Sequence, residues 1–389
     1  MTLFHLPAYL DWPAQFCLLS TGVTWVASLI TSNVSQVDRL WTFLPTIYSA
    51  YYAFLPLLPN EQPALFVPYA PKELGWRAVT EYSPRALLMF TLIFVWMCRR
   101  AKLQHISSWQ DEDYRWAVLR KQLPPWLFQV TNLTFIAFTQ NVLLLLLGLP
   151  TYVAAVLQPH ESLSTSDLLL SAFAVVILAL EFTADNQQYA FHSYKHHVLA
   201  LEKGDSKVEA YDEKKQWPGA RLSWTRDDAK RGFVTRGLWR YSRHPNFTCE
   251  QSFWWVMTLM PLMAPAPPNL PLQSELPPLQ TILVALVNPE LYKPLVESLK
   301  ASLLPSVFYL VPGIALSALF FSSTMYTESI TKNKYTKAYD AYQKRVAMFA
   351  PTGTIVKWLK LKLFGSTKDQ QWVEQLVWGN PSNGAPKEE

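Results

Sequence analysis

Seven stretches of the chain are dominated by apolar residues and separated by polar segments: Ala14 to Thr31, Trp41 to Pro59, Ala86 to Cys98, Pro124 to Leu157, Leu168 to Leu180, Phe253 to Ala264 and Ser302 to Ser322. The fourth carries no charged side chain at all, and a helix of about 20 residues is enough to cross a bilayer. The pattern predicts an all-α fold, a polytopic integral membrane bundle of about seven transmembrane helices. The third stretch is short for a full crossing, so Arg85, Arg99 and Arg100 are expected to snorkel from its ends. Pro265 to Pro278 contains six Pro and is expected to be extended rather than helical. Leu201 to Lys230 is polar and of mixed charge, and the residues from Gly379 onward have the composition of a disordered tail. One membrane-embedded domain over residues 10–351 follows, with 201–230 a cytosolic loop insertion, 265–300 a Pro-rich connector on the other side, and 352–389 a cytosolic C-terminal tail.

Charge gives the pattern a direction. Lys and Arg are retained on the cytosolic side of a membrane and depleted from translocated loops. Arg99, Arg100, Lys102, Arg115, Arg120 and Lys121 follow the third stretch, twelve Lys and Arg lie between Asp185 and Asn246, and a Lys-rich segment follows the seventh. The intervening loops are poor in bases: Asn60 to Tyr82 sets Lys72 and Arg77 against three Glu, Thr151 to Ser166 has none, and Pro265 to Ala301 has Lys293 and Lys300. An odd number of spans with the N-terminus outside and the C-terminus cytosolic accounts for this alternation. No Lys or Arg precedes the first span, so a cleaved signal peptide with its basic leading segment is not expected. Half of the residues are apolar, sixteen are Trp, and charge is both sparse and clustered, unlike a soluble chain. Cys17, Cys98 and Cys249 are too few for a disulfide framework. No basic run interleaved with aromatics suggests nucleic acid, which is set aside as a partner.

Three segments carry candidate chemistry. Glu181, Asp185 and Gln188 follow at i, i+4 and i+7 where the fifth span ends, so they share a helical face. Acids on one face at a span end form either a polar site or an ordinary water-facing end. His192, His196 and His197 have the spacing of a di-iron box, but such sites draw His from several boxes and the remaining His5, His105, His160 and His244 are solitary. No metal site is expected. The richest segment is Arg231 to Glu250, where Arg231, Arg236, Arg240, Arg243 and His244 precede Asn246 and Glu250 at the mouth of the sixth span. Arg offers a planar fork suited to phosphate oxygens, and Asn with Glu at a helix start can bind an amide or a ribose hydroxyl. A positive-inside anchor is the plainer reading of the same bases.

Gly237-Leu238-Trp239-Arg240-Tyr241-Ser242-Arg243-His244-Pro245-Asn246 followed by Glu250 resembles the signature of the steroid 5α-reductase-like membrane proteins, specifically their DUF1295 branch. The resemblance continues in order along the chain: Val37-Asp38-Arg39-Leu40-Trp41 with Pro45, Asp113-Tyr114-Arg115-Trp116 with Leu119-Arg120, Glu181 with Ala184-Asp185 and Gln187, and finally Glu328, Tyr335, Tyr339, Tyr342, Phe349 and Pro351. It implies a seven-helix bundle that holds NADPH at its cytosolic end and admits a lipophilic substrate from the bilayer, with membrane lipid around it and, in a eukaryote, the endoplasmic reticulum as its membrane. It implies an NADPH-dependent reductase of a double bond, in which hydride passes to the β-carbon of an enone while an acid group steadies the carbonyl. Asn246 and Glu250 would hold the nicotinamide end, and Asp185, Arg231 and Tyr335 the rest of the dinucleotide. Arg240, Arg243 and His244 are the phosphate candidates on physical grounds. Asp38 is the nearest candidate for the catalytic acid, with a structural cap as its other reading.

The sequence departs from that pattern at Phe247 and Cys249, where Tyr and a small Gly are usual, and Trp96 to Arg100 lacks an Asn. Isoprenylcysteine carboxyl methyltransferases, which use S-adenosylmethionine, are similar around Arg243-His244-Pro245. That leaves a membrane methyltransferase as the alternative, with a non-catalytic membrane protein behind it. Asn246, Glu250 and Gly237-Leu238-Trp239 favour the reductase-like branch.

Overall fold

The computed structural model describes residues 6–106, 112–204, 208–268 and 277–379. Among the described residues there are sixteen α-helices and no strand. Four helical segments, Ala8–Thr31, Pro125–Leu157, Thr165–Glu202 and Ser306–Lys334, are long and apolar enough to cross a membrane. The chain is an all-α membrane protein. By contact it divides into two compact units, Met1–Ala174 with Trp254–Ser317, and Val175–Phe253 with Ala318–Glu389.

The first unit begins with α1 (Asp11–Thr31), followed by α2 (Gln36–Leu40), α3 (Leu44–Ala53), α4 (Trp76–Thr80), α5 (Pro84–Ile106) and α6 (Tyr114–Gln122). Then α7 (Pro125–Thr131) and α8 (Gln140–Tyr152) are joined by π turns at Asn132–Thr139 and Val153–Leu157 into one helical run. Pro150 sits inside it, and a residue without an N–H is tolerated where the hydrogen-bond register is already shifting. Four of the seven apolar stretches thus fall in helices of spanning length. The second stretch folds as ten-residue α3 and a 3₁₀ turn, and the third lies inside α5.

Polar side chains tie this unit together. Asn132 Nδ2 donates to Ser28 Oγ at 2.8 Å and Asn141 Nδ2 to the Ala137 carbonyl at 2.8 Å, the interhelical and local hydrogen bonds expected where a bundle has no water to satisfy an amide. Gly148 lets α8 press on α3, since a Cβ there would lie 2.5 Å from the Tyr48 Cβ. Arg85 does not snorkel. It is buried, gives Asp167 two hydrogen bonds of 2.7 and 3.0 Å and reaches Gln158 Oε1 at 3.1 Å, while Gln158 Nε2 donates to the Pro261 and Ala266 carbonyls. Asp167 also accepts from the Ser164 N–H, so a fully hydrogen-bonded carboxylate waits for the guanidinium and offsets the cost of burying it. The buried ion pair therefore joins the start of α5 to the start of the segment Thr165–Glu202 and, through Gln158 and Ala266, to two of the loops that are poor in bases.

The chain enters the second unit within α9 (Thr165–Glu202), a 38-residue helix. At 1.5 Å per residue it is about 57 Å long, nearly twice the hydrocarbon thickness, so its polar second half extends beyond its apolar first half. Next come α10 (Arg226–Arg231) and α11 (Pro245–Leu259); α12 (Leu279–Val287) and the start of the 46-residue α13 (Pro289–Lys334) belong to the first unit again, and the end of α13 with α14 (Thr336–Arg345), α15 (Pro351–Phe364) and α16 (Thr367–Trp378) to the second. Residues 265–268 and 277–278 of the connector are non-helical, whereas its end from Leu279 is helical. Pro289 takes the first position of α13, where a missing N–H leaves no intrahelical bond unmade. Residues 269–276 of that connector, 205–207 of the polar loop and the tail beyond Gly379 lie outside the described residues. Before that tail, Val373 and Val377 of α16 bury against Tyr339, Ala341 and Tyr342 of α14.

Candidate functional site

In the second unit the sequence motifs converge. Gly237 has φ of +62°, and a Cβ on it would lie 2.5 Å from Gln187 Oε1, so both conformation and space call for glycine. Gln187 Oε1 accepts from the Leu238 N–H at 2.9 Å, and its amide donates to the Gly219 carbonyl at 2.9 Å. Trp239 Nε1 donates to the Ala184 carbonyl at 3.2 Å, and the Tyr342 hydroxyl donates to the Trp239 carbonyl. The Gly237-Leu238-Trp239 segment is thereby docked on the Ala184 to Gln187 turn of α9.

Beyond it, Pro245 opens α11 and Asn246 falls in its first turn. Asn246 Nδ2 donates to Asp185 Oδ1 at 3.0 Å, and its Oδ1 accepts from the Phe247 N–H. Glu250 stands one turn further along α11 and Glu181 one turn back along α9, both buried at 1% and 0% exposure. One amide and three carboxyl groups thus line two successive turns of each helix. Burying such groups is costly unless they are hydrogen-bonded, and an amide held by a carboxylate can bind a carboxamide or a ribose diol.

The basic candidates divide into committed and open groups. Arg243, 5% exposed, gives its fork to Glu328 at 2.7 and 2.8 Å. Glu328 also meets His244 Nε2 at 2.9 Å and Gln343 Nε2 at 2.9 Å. The backbone N–H groups of Arg243 and His244 donate to the Ala347 and Met348 carbonyls. His244 stacks on Phe247, so the aromatic ring at 247 props the imidazole. Burial pushes that imidazole below its ordinary value; Glu328 pulls the other way and Arg243 adds to the depression. Arg231 is buried as well, bound to Asp228 Oδ1, Thr235 Oγ1 and the Leu376 carbonyl. Arg240 is exposed, its guanidinium 4.8 Å over the Trp378 ring. Tyr335 packs its ring over Gly232, which has a φ of +87° and where a Cβ would collide with that ring, and lies 5.7 Å from Phe233.

Residues 24–268, well over half of the chain, match the family described as a protein of unknown function, DUF1295. The chain belongs to the DUF1295 family. An uncharacterised protein of Schizosaccharomyces pombe is 27% identical over 333 residues, which cover 85% of this chain and 76% of that relative. No solved structure matches the chain.

The other DUF1295 motifs named from the sequence meet in the first unit. Trp116 Nε1 donates to Asp38 Oδ2 at 3.0 Å, the Asp113 N–H to Ser35 Oγ at 3.0 Å, and the Val34 N–H to Glu112 Oε1 at 3.0 Å. Arg115 pairs with Asp113, which caps α6, and Arg120 pairs with Glu112. Burial pushes the Asp38 carboxyl up from its ordinary value, against the hydrogen bonds from Trp116 and Ser35 that pull it down. Asp38 thus ties the α1–α3 connection to α6. His192, His196 and His197 lie in the continuous helix α9, where Lys195 Nζ donates to the Gly232 carbonyl.

The role that sequence reasoning missed is that of Glu328, which holds Arg243, His244 and Gln343 together. The signal was an acid in the last apolar helix, a place where a carboxylate needs a named partner.

Proposed function

We propose that this protein is a membrane-embedded reductase that uses NADPH to saturate a double bond of a lipophilic, steroid- or lipid-like substrate reaching it from the bilayer. The observation that carries the reading is the Asn246 to Asp185 hydrogen bond of 3.0 Å with Glu250 buried one turn beyond it. A carboxamide is both donor and acceptor, and an Asn flanked by carboxylates offers it complementary partners. NADPH, when bound, supplies a hydride. Asn246 and Glu250 would hold the carboxamide end, Asp185 would orient the Asn246 amide, and Arg240 would meet phosphate, because its guanidinium is exposed while those of Arg243 and Arg231 are bound to Glu328 and Asp228. The same reading puts the base-rich segments and the C-terminus on the cytosolic side, and the protein in the endoplasmic reticulum membrane.

Titration of the purified full-length protein in lipid nanodiscs tests this directly. NADPH should bind, and Glu250→Gln should weaken it by about ten- to a hundredfold, the loss of one charge-assisted hydrogen bond of about 1.5 to 3 kcal/mol. Binding of S-adenosylmethionine in place of NADPH, weakened by the same substitution, would install the methyltransferase reading. Binding of neither would leave a non-catalytic membrane protein.

A further inference from the structure

Helix α15 has two opposite faces, and among the described residues only one of them meets protein. Thr354 Oγ1 donates to the Tyr241 carbonyl and accepts from the Ala347 N–H, Lys357 Nζ donates to the Gln343 carbonyl, and Leu361 packs on the α14–α16 core. At about 100° per residue, Ile355, Val356, Leu359 and Leu363 fall in one stripe on the far side of the helix. All four are exposed, Leu363 at 71%. Lys362 borders one edge of the stripe and Lys360 the other, both exposed; Phe364, 85% exposed, stands at the end. No acidic residue occurs between Pro351 and Phe364.

At 14 residues the helix is about 21 Å long, too short to span hydrocarbon about 30 Å thick. The spanning segment Ser306–Lys334 has its C-terminal end in the same unit as α15, with sixteen residues between the two, so α15 begins within reach of the membrane surface. An apolar stripe bordered on both edges by Lys is the pattern of a helix lying in an interface, its apolar side chains among acyl chains and its Lys side chains reaching phosphates. We propose that α15 is an interfacial helix whose outward stripe rests in an anionic lipid surface of the leaflet at which Ser306–Lys334 ends. This surface is independent of the reductase reading.

The test places a bimane label at Leu363→Cys, or at Leu359→Cys, in the full-length protein with its three native Cys changed to Ser, in nanodiscs that contain brominated lipid. Brominated chains should quench the label several-fold more than one at Lys368→Cys, and aqueous iodide should show the reverse order. Adding phosphatidylserine should increase the lipid quenching, and the Lys360→Glu, Lys362→Glu double variant should abolish that increase. In the unsubstituted protein, a photoactivatable phospholipid should crosslink within residues 355–364. Equal quenching at 363 and 368 with no lipid crosslink in that segment would overturn the proposal. So would a label hidden from bromine and iodide alike, or a crosslink at Leu363 between two copies, either of which gives the stripe a protein partner.

Discussion

Arg243 and Glu328, 85 residues apart in sequence, form a two-pronged ion pair of 2.7 and 2.8 Å in which each side chain is 5% exposed. The pair fixes the entry to α11 against the end of α13, and with it the position of Asn246 three residues on. It also commits the Arg243 guanidinium to a carboxylate, whereas that of Arg240 is exposed.

Breaking this pair from one side leaves a buried charge without its partner. Glu328→Ala is expected to lower stability by about 3 to 5 kcal/mol, and Glu328→Gln by less, since the amide oxygen still accepts from Arg243. The joint change Arg243→Met, Glu328→Leu should recover part of the loss, because no buried charge is left without its counter-charge, while His244 Nε2, Gln343 Nε2 and the Val346 carbonyl still lose a partner. Thermal unfolding of the detergent-solubilised variants measures it. Additive losses in the double variant would mean that the two residues act separately.

His244 sets a pH dependence. Its folded value lies below the ordinary 6.5, so as pH falls through about 6.5 the unfolded chain takes up a proton that the folded chain refuses. Stability should therefore be level above pH 7, decline below about 6.5, and keep declining until the folded value is reached. His244→Gln should reduce that slope. Melting temperatures from pH 8 to pH 5 would show it, and a rise in stability on acidification would mean that Glu328 holds an imidazolium instead.

Gly148 is expected to resist the substitution that stabilises most helices. Glycine to alanine ordinarily gains about 1 kcal/mol inside a helix. Here the added methyl meets the Tyr48 Cβ at 2.5 Å and its carbonyl carbon at 3.4 Å, atoms that cannot swing aside. Gly148→Ala should instead cost about 1 to 3 kcal/mol, and Gly148→Leu more, read by thermal unfolding. Gly22 meets no atom within 4 Å and serves as the control, where alanine should stabilise.

The elements legible from the sequence were those written in one local period. Uninterrupted apolar runs such as Pro124 to Leu157 marked their own helix. Partnerships across long separations carried no local mark. Arg85 reads as a snorkelling base until Asp167, 82 residues later, is seen beside it; Arg243 reads as a phosphate ligand until Glu328 is. Pro289 looks like a helix breaker, yet at the first position of α13 it begins a helix. The α15 stripe forms no continuous apolar run because its residues are interleaved with Lys357, Lys360 and Lys362, and only the anchored face tells which side is out.

Asp185 carries the last prediction, because it separates the hydrogen bond to Asn246 from the charge behind it. In Asp185→Asn an amide oxygen can still accept from Asn246 Nδ2, so the geometry of the 3.0 Å contact survives while the negative charge is lost. In Asp185→Ala both are lost, and the Asn246 amide is held only through its own Oδ1 and the Phe247 N–H. If Asp185 acts by orienting Asn246, NADPH affinity should fall only slightly in Asp185→Asn and by about tenfold in Asp185→Ala, a step of about 1.4 kcal/mol. If the carboxylate instead contacts a ribose hydroxyl itself, the two variants should lose affinity alike, since an amide is the weaker acceptor. Asn246→Ala should match or exceed the Asp185→Ala loss in either case, and adding Asp185→Ala to it should change little, because an orienting residue has nothing left to orient. An additive double variant would assign the two side chains separate contacts with the nucleotide.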